Sequence, residues 1–388
     1  MPTKLEYAAL SAHVYNDQRG GGGESNVNRL DTPPGWQALS NLGFATGDYL
    51  NINPFSFTAG AYLNESGEIV ISYKGTDFLT AFEGRSWNTV ADLLADAGLA
   101  TAIRNFNVGQ QLYASSYFLA VKEWAVDQGY DPSKISFTGH SLGGGLASNM
   151  AIWFNRQATT FAEGPFEIGT RDPIAIITAA ATLTLHAGVT ASQAILEEIL
   201  TLKSAYADFD NREAGVTNYY VQGEFLEYVR TALPTVVGSD NPIDIGAQPI
   251  SRALALHSMN LHLALLLDER LSVAAKAIPE LIPVLLDTTL YATDPNFSQP
   301  DFVTRLVAAQ LRGDLMRQDG LLGKFTTDVQ SLAGDSGITA QSAIRTALIA
   351  VAMEYYSVKE STDATSIFNV SNGGLHFKYS DIGATDYK

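Results

Sequence analysis

The stretch Ile135-Ser136-Phe137-Thr138-Gly139-His140-Ser141-Leu142-Gly143-Gly144-Gly145-Leu146-Ala147 constrains this chain more than any other. A β-branched and aromatic run leads into Gly-x-Ser-x-Gly, and small residues then open a helical pattern. That order predicts a strand, a sharp turn at Ser141 and a helix, with the hydroxyl held out on the turn. The flanking glycines let strand and helix pass close together where side chains would obstruct them. Behind Ser141 the helix presents N–H groups and a positive dipole end, which favour the negative charge formed when a hydroxyl attacks a carbonyl. The stretch therefore reads as a nucleophile elbow with Ser141 as nucleophile.

Around the elbow, strand and helix patterns alternate. Residues 4–14 have an amphipathic helical pattern, with Leu5, Ala8, Ala9 and Val14 on one side. The glycine-rich segment from Arg19 to Ser25 reads as a loop, and Trp36 to Asn53 is turn-rich. Thr58 to Leu63 and Ile69 to Tyr73, separated by Asn64-Glu65-Ser66-Gly67, read as a hairpin. Ala91 to Ile103 and Val108 to Val126 read as two helices, followed by the elbow strand and its helix at about 144–157. Ile174 to Ala181 reads as a short strand, Ser192 to Ala205 as a helix, and Val216 to Val221 as the next strand. Such alternation implies an α/β domain over residues 1–270, with a mostly parallel central sheet and crossover helices. Glu280 to Leu290, Phe302 to Leu311 and Ala340 to Tyr356 are helical patterns with no strand between them, so residues 271–388 are expected to form a helical extension packed on that core. No internal repeat is visible, and in particular no tandem Gly-Gly-x-Gly-x-Asp calcium repeat.

Composition narrows the function. A chain of 388 residues, 46% hydrophobic, can bury a substantial core. Its net charge of −17 argues against nucleic acid and against electrostatic docking on anionic membranes. Cysteine is absent, which excludes disulfides, thiolate catalysis and cysteine-based zinc sites. Met1 to Leu10 lacks the basic-then-apolar layout of a signal peptide, and polar residues interrupt every apolar run before it reaches a membrane-spanning length of about 18 residues. The expectation is a chain without a cleaved signal or integral span, its oligomeric state open.

A serine nucleophile needs a base, and the base needs an orienting acid. Among the histidines, His257 lies after Ser141 and just ahead of the apolar helix Met259 to Leu267, as the serine, acid, histidine order of the fold requires. His376, in the turn-rich segment Asn372-Gly373-Gly374-Leu375-His376, is the rival; His262 falls inside a helical pattern and reads as a packed residue, and His140 as lining of the elbow. Glu224 follows the strand 216–221 and a flexible glycine, so it can turn back toward an imidazole and is taken as the acid. Asp208 and Asp210 precede that strand, and Asp172 precedes an earlier one. The Leu142 amide provides one oxyanion donor, and Thr76, in the turn Lys74-Gly75-Thr76, is placed to provide the second. The apolar segment with Phe78, Leu79 and Phe82 reads, together with Trp87, as a lid over an acyl groove. The chemistry requires no cofactor. A structural calcium ion is left open, although no loop of EF-hand spacing is visible.

Four blocks resemble the class 3 lipases, the group that includes the fungal triacylglycerol lipases. Ile69 to Asp77 is similar to that family's strand and oxyanion turn, Ser86 to Leu93 to its tryptophan-bearing lid-to-helix segment, Phe137 to Leu146 to its Gly-His-Ser-Leu-Gly-Gly elbow, and His257-Ser258-Met259-Asn260 to its histidine neighbourhood. The resemblance covers about residues 5–265 and implies an α/β-hydrolase fold, a serine, acid and histidine triad, a lid near 78–88 and hydrolysis of ester lipids at a lipid–water interface. It departs at the acid, where the family usually carries Asp and this chain has Glu224. The helical C-terminal region is loosely similar to the segment beyond the lipase module in bacterial calcium-repeat proteins exported without a cleaved signal. That likeness implies an extracellular enzyme; a cytoplasmic one fits the same features.

The expected activity is hydrolysis of acylglycerol esters through an acyl-enzyme on Ser141. The alternatives are a phospholipase A1, a short-chain or polyester carboxylesterase, and a hydrolase-fold binding module without catalysis.

Overall fold

The computed structural model describes residues 1–16, 29–44, 57–75, 97–165, 167–187, 193–232, 236–287, 302–313, 319–335, 341–359, 362–371 and 374–377. The loop expected at Arg19 to Ser25, the oxyanion residue Thr76, the lid with Phe78, Leu79, Phe82 and Trp87, and residues 91–96 of an expected helix lie outside them. Contacts divide the chain into two compact units. The first comprises Met1–Val14, Gly35–Tyr220 and Glu224–Pro242, and the second Tyr15–Pro34, Val221–Gly223 and Ile243–Lys388.

The first unit is built on a seven-stranded sheet whose spatial order follows the chain: β1 (Trp36–Ala38), β2 (Ala59–Asn64), β3 (Ile69–Tyr73), β4 (Ile135–His140), β5 (Ala158–Phe161), β6 (Val216–Val221) and β7 (Ser239–Ile243). The hairpin β2–β3 is antiparallel, as the turn Asn64 to Gly67 requires: the Asn64 side chain accepts from the Ser66 and Glu68 amides, and Gly67 takes a φ of +73°. From β3 to β6 the strands run parallel, with Tyr73 opposite Gly139 and His140 opposite Phe161. Their carboxyl ends therefore lie along one edge, where α/β sheets place their sites.

Helices α1 (Lys4–His13), α2 (Ala97–Asp127) and α3 (Leu142–Phe154) cover the sheet. Thr3 and Glu6 cap α1 reciprocally, the Glu6 amide donating to Thr3 Oγ1 at 3.2 Å and the Thr3 amide to Glu6 Oε2 at 2.6 Å. Tyr7 ties α1 to the start of β4 by donating to Ser136 Oγ at 2.8 Å, and burial pushes its phenol up to about 12. Helix α3 carries no charge and is buried along almost its whole length, its Trp153 and Phe154 joining Phe118 and Phe137 in the main core. After β5 come α4 (Glu167–Thr170), α5 (Pro173–Ala187), α6 (Gln193–Lys203) and α7 (Phe209–Glu213), and α8 (Phe225–Ala232) follows β6.

The fold is α/β, as expected, and differs from the sequence reading in four places. Ile174 to Ala181 is not a strand but part of α5: a short apolar run fits a strand or a buried helix equally, and Asp172 followed by Pro173 is the local sign of a helix start. The parallel strand beside β4 is instead β5, in the β-branched run after the elbow helix. The two helices expected before the elbow are one in the described part, Ala97–Asp127, because no proline interrupts the chain between them and Gly109 is absorbed in the helix. The C-terminal region is not purely helical. It ends in the hairpin β8 (Phe368–Ser371) and β9 (Gly374–Phe377), whose connecting residues Asn372-Gly373 are a strong hairpin signal in the sequence.

The second unit holds α9 (Ala253–Leu256), α10 (Met259–Leu267), α11 (Glu269–Ala277), α12 (Leu281–Leu285), α13 (Phe302–Leu311), α14 (Leu321–Gly334) and α15 (Ser342–Val358). Within it α10 packs on α13, where Asn260 Nδ2 donates to Thr304 Oγ1 at 2.6 Å. Asp328 organises its core. One carboxylate oxygen accepts from Tyr356 Oη at 2.6 Å and the Ile367 amide at 3.1 Å, and the other from the Phe368 amide at 2.9 Å. Burial and the neighbouring carboxylate hold the Tyr356 phenol far above its ordinary range. Asp328→Ala leaves buried amides and a phenol without an acceptor, so it is expected to destabilise this unit by about 3 kcal/mol. Urea denaturation reads that as a lower midpoint, and an unchanged midpoint contradicts it.

No single helix among the described residues is long and apolar enough to cross a membrane. The pair Ile250–Leu256 and Met259–Leu267, bent by 79°, reaches that threshold by length and composition, but Leu261, Leu263 and Leu265 are buried inside the protein.

Candidate functional site

Ser141 ends β4 and starts α3 with φ 59° and ψ −130°, a sparsely populated conformation for a residue with a side chain. The backbone fixes it there. The Ser141 amide donates to the Phe161 carbonyl of β5 at 3.0 Å, and its carbonyl accepts from the Gly145 and Gly164 amides at 3.2 and 2.9 Å. Serine at a helix start ordinarily caps it with its hydroxyl, yet this one makes no capping hydrogen bond. The side chain is partly exposed, at the carboxyl edge of the parallel strands and over the amino end of α3.

The glycines do what their spacing implies. A Cβ on Gly139 would overlap the Gly143 carbonyl, and one on Gly143 would overlap the Tyr73 carbonyl at the end of β3. A Cβ on Gly144 would meet the Cα of Glu163 at 3.2 Å. Helix α3 can thus sit against both neighbouring strand ends only because these residues lack side chains. The contact at Tyr73 brings the start of the Lys74-Gly75 turn, expected to lead into the oxyanion loop, directly against the elbow. Leu142 is the first residue of α3, so its amide has the position expected of one oxyanion donor.

Glu224 is fully buried and follows Gly223, whose φ of +83° makes the turn after β6. Its Oε2 accepts from the Leu226 amide at 2.7 Å, at the amino end of α8. It belongs to the same unit as Ser141 and follows β6, the strand two places along the sheet from β4. A second buried carboxylate, Glu163, escaped the sequence reading because its strand did. Ala162, at φ 43°, turns the chain after β5 and leads into it. Glu163 accepts from Thr160 Oγ1 at 2.9 Å and from the Val237 amide at 3.4 Å, while its own amide donates to Asn218 Oδ1 at 3.2 Å. It therefore braces the ends of β5 and β6 beside the elbow. Asp172 caps α5, its carboxylate accepting from the Ile174 amide at 2.9 Å, and Asp208 pairs with Arg212 at 3.2 Å.

His257 closes α9 in the second unit and is buried. Ser258 beyond it caps α10, accepting from the Leu261 amide at 3.4 Å. His262 has a structural place: the Val221 amide donates to its Nε2 at 3.1 Å, so its Nδ1 carries the proton donated to the Ser258 carbonyl at 2.8 Å. His140 is buried at the end of β4. His376 lies in β9, paired with Asn369. Among the described residues no group of three or more His, Asp or Glu side chains has the arrangement of a metal site.

A cleft of about 440 Å³ opens at the opposite edge of the sheet, among Lys134, Ile135, Ser136, Gln157 and Arg212. Its cations are committed. Arg212 donates to the Ile152, Trp153 and Thr201 carbonyls, and Arg156 pairs with the buried Glu198, which Lys122 also approaches at 2.7 Å. It holds strand starts and helix ends together, away from the elbow.

A strained serine at the carboxyl edge of a parallel sheet, seated on a helix start and packed through glycine contacts, defines an α/β-hydrolase-like protein. Residues 6–262 match the model of the Tle-like phospholipase domain, and the chain belongs to that phospholipase-like family. It is accordingly a lipase-like ester hydrolase. No curated protein matches the chain.

Proposed function

We propose that this chain cleaves a carboxylic ester of a phospholipid through an acyl-enzyme on Ser141. The observation that carries the proposal is the elbow: a serine in a strained turn over a helix start, its hydroxyl unused in capping. The Ser141 hydroxyl attacks the acyl carbonyl while His257 takes its proton, and the oxyanion is held by the Leu142 and Thr76 amides. His257 then protonates the departing lysophospholipid oxygen. A water, losing its proton to His257, attacks the acyl carbonyl, and His257 returns that proton to Ser141 Oγ as the acyl C–O bond breaks and the fatty acid leaves. Glu224 fixes the imidazole tautomer and stabilises its charged form.

The family match ends just beyond His257 and leaves His376 outside it, which favours His257 as the base. His257→Ala is expected to lower kcat by about 10³-fold or more. His376→Ala should stay near wild type, and His262→Ala should lower stability rather than kcat. A wild-type rate for His257→Ala together with an inactive His376→Ala overturns the assignment. The buried Glu163 supports a second reading of the acid, so Glu224→Ala should fall further in kcat than Glu163→Gln, and the reverse order moves the role to Glu163.

A class 3 triacylglycerol lipase is the second reading of the substrate, supported by the four sequence blocks. Release of fatty acid from phosphatidylcholine and from emulsified triacylglycerol, measured side by side, separates the two. The proposal expects the larger kcat/KM on the phospholipid; a larger value on triacylglycerol selects the lipase.

A further inference from the structure

Helix α5 contains no Asp, Glu, Lys or Arg in Pro173–Ala187, in a chain whose net charge is −17. Its inner face needs none, because Ala175, Ile176, Ala179, Ala180 and Leu183 are buried in the main core. The other face is the unexpected one. Ile174 is 71% exposed and Ile177 66% exposed, and Ala181 and Thr184 continue the same stripe along the exposed side. The packed neighbour α6 adds two apolar side chains, with Leu200 64% exposed one turn beyond the exposed Leu196, and one exposed carboxylate beside them, Glu197, which accepts from Gln193 Nε2 at 3.1 Å. A helix of a water-soluble surface normally turns charged residues outward, and apolar side chains gathered on one exposed face mark an interaction surface.

We infer that the outer face of α5 and α6 docks on a phospholipid surface of zwitterionic headgroups. The inference rests on the phospholipid-ester reading, which makes an aggregated lipid the substrate. Charge decides the kind of surface. An acidic chain is repelled by anionic headgroups, so its attachment must come from buried apolar area, and the charge-free stripe supplies it. Ile174, Ile177, Leu196 and Leu200 enter the headgroup and acyl boundary, while the core face of both helices stays in place.

The absence of cysteine makes the test direct. An environment-sensitive fluorophore on Ile177→Cys should brighten and shift to the blue when phosphatidylcholine vesicles are added, whereas one on Val273→Cys, also exposed but in the other unit, should not change. Ile177→Asp combined with Leu200→Asp should lower vesicle partition at least tenfold and vesicle hydrolysis with it, leaving hydrolysis of a soluble short-chain ester intact. Phosphatidylglycerol vesicles should bind wild type more weakly than phosphatidylcholine vesicles. A silent label at position 177 on vesicle-bound protein overturns the inference, as does wild-type partition of the double variant. A wild-type dimer that the double variant splits in sedimentation assigns the face to a second copy instead. Loss of all ester hydrolysis in the wild type would refute the catalytic reading alone, since partition is read without turnover.

Discussion

Ser141→Ala is expected to lower ester hydrolysis by about 10⁴-fold or more while leaving the protein folded. The expectation rests on the roles the side chain has and lacks. Its hydroxyl makes no capping hydrogen bond, so the helix start loses nothing when it is removed, and the turn is held by the backbone bonds to Phe161, Gly145 and Gly164. The conformation is costly for any residue with a Cβ. Ser141→Gly, equally inactive, should therefore gain roughly 1 kcal/mol of stability over Ser141→Ala, because glycine adopts a φ near +60° without steric penalty. Rate measured beside thermal unfolding separates these effects: activity lost in both variants, with Gly the more stable. A serine kept for structure would give the opposite pattern, with stability falling in step with activity.

Gly143→Ala should cost stability and activity together, by about 3 kcal/mol of folding free energy or more. The added methyl would overlap the Tyr73 carbonyl and the Lys74 backbone, neither of which can rotate away as a side chain would. Either α3 must move off the sheet or the end of β3 must shift, and both displace the Leu142 amide relative to the turn leading to Thr76. The activity that survives should therefore fall in kcat more than in KM, since the interaction weakened is with the transition-state oxyanion. Wild-type stability with wild-type kcat in Gly143→Ala would remove the close approach of strand and helix from this account.

The elbow was legible in the sequence because its chemistry is local. Gly139, Ser141 and Gly143 sit within one turn, and each has a single physical reason for its type. The hairpin β2–β3 was legible for the same reason, through Asn64 and Gly67. The features that escaped depended on partners distant in the chain. Ile174 to Ala181 is apolar on both faces, so its period cannot tell strand from helix; its outer face becomes informative only once the inner one is seen buried. β5 has only four residues, so neither the strand nor Glu163 beyond it stands out locally. The placement of α10 with the helices beyond it, through Asn260 and Thr304, is likewise a long-range contact that no local pattern announces. Glu224 illustrates a middle case: the strand, the glycine and the carboxylate follow in order along the chain, but its burial and its bond to the Leu226 amide belong to the folded state.

The proposed reaction passes through a covalent acyl intermediate on Ser141, and trapping that serine is the decisive experiment. The protein is treated with a fluorophosphonate, which phosphorylates activated serines irreversibly, and the adduct is located by peptide mass spectrometry while residual ester hydrolysis is followed. One adduct is expected, on Ser141, formed in step with loss of activity, absent from Ser141→Ala and slowed in His257→Ala. An adduct on another residue, or full hydrolysis by protein that never labels at Ser141, would contradict it.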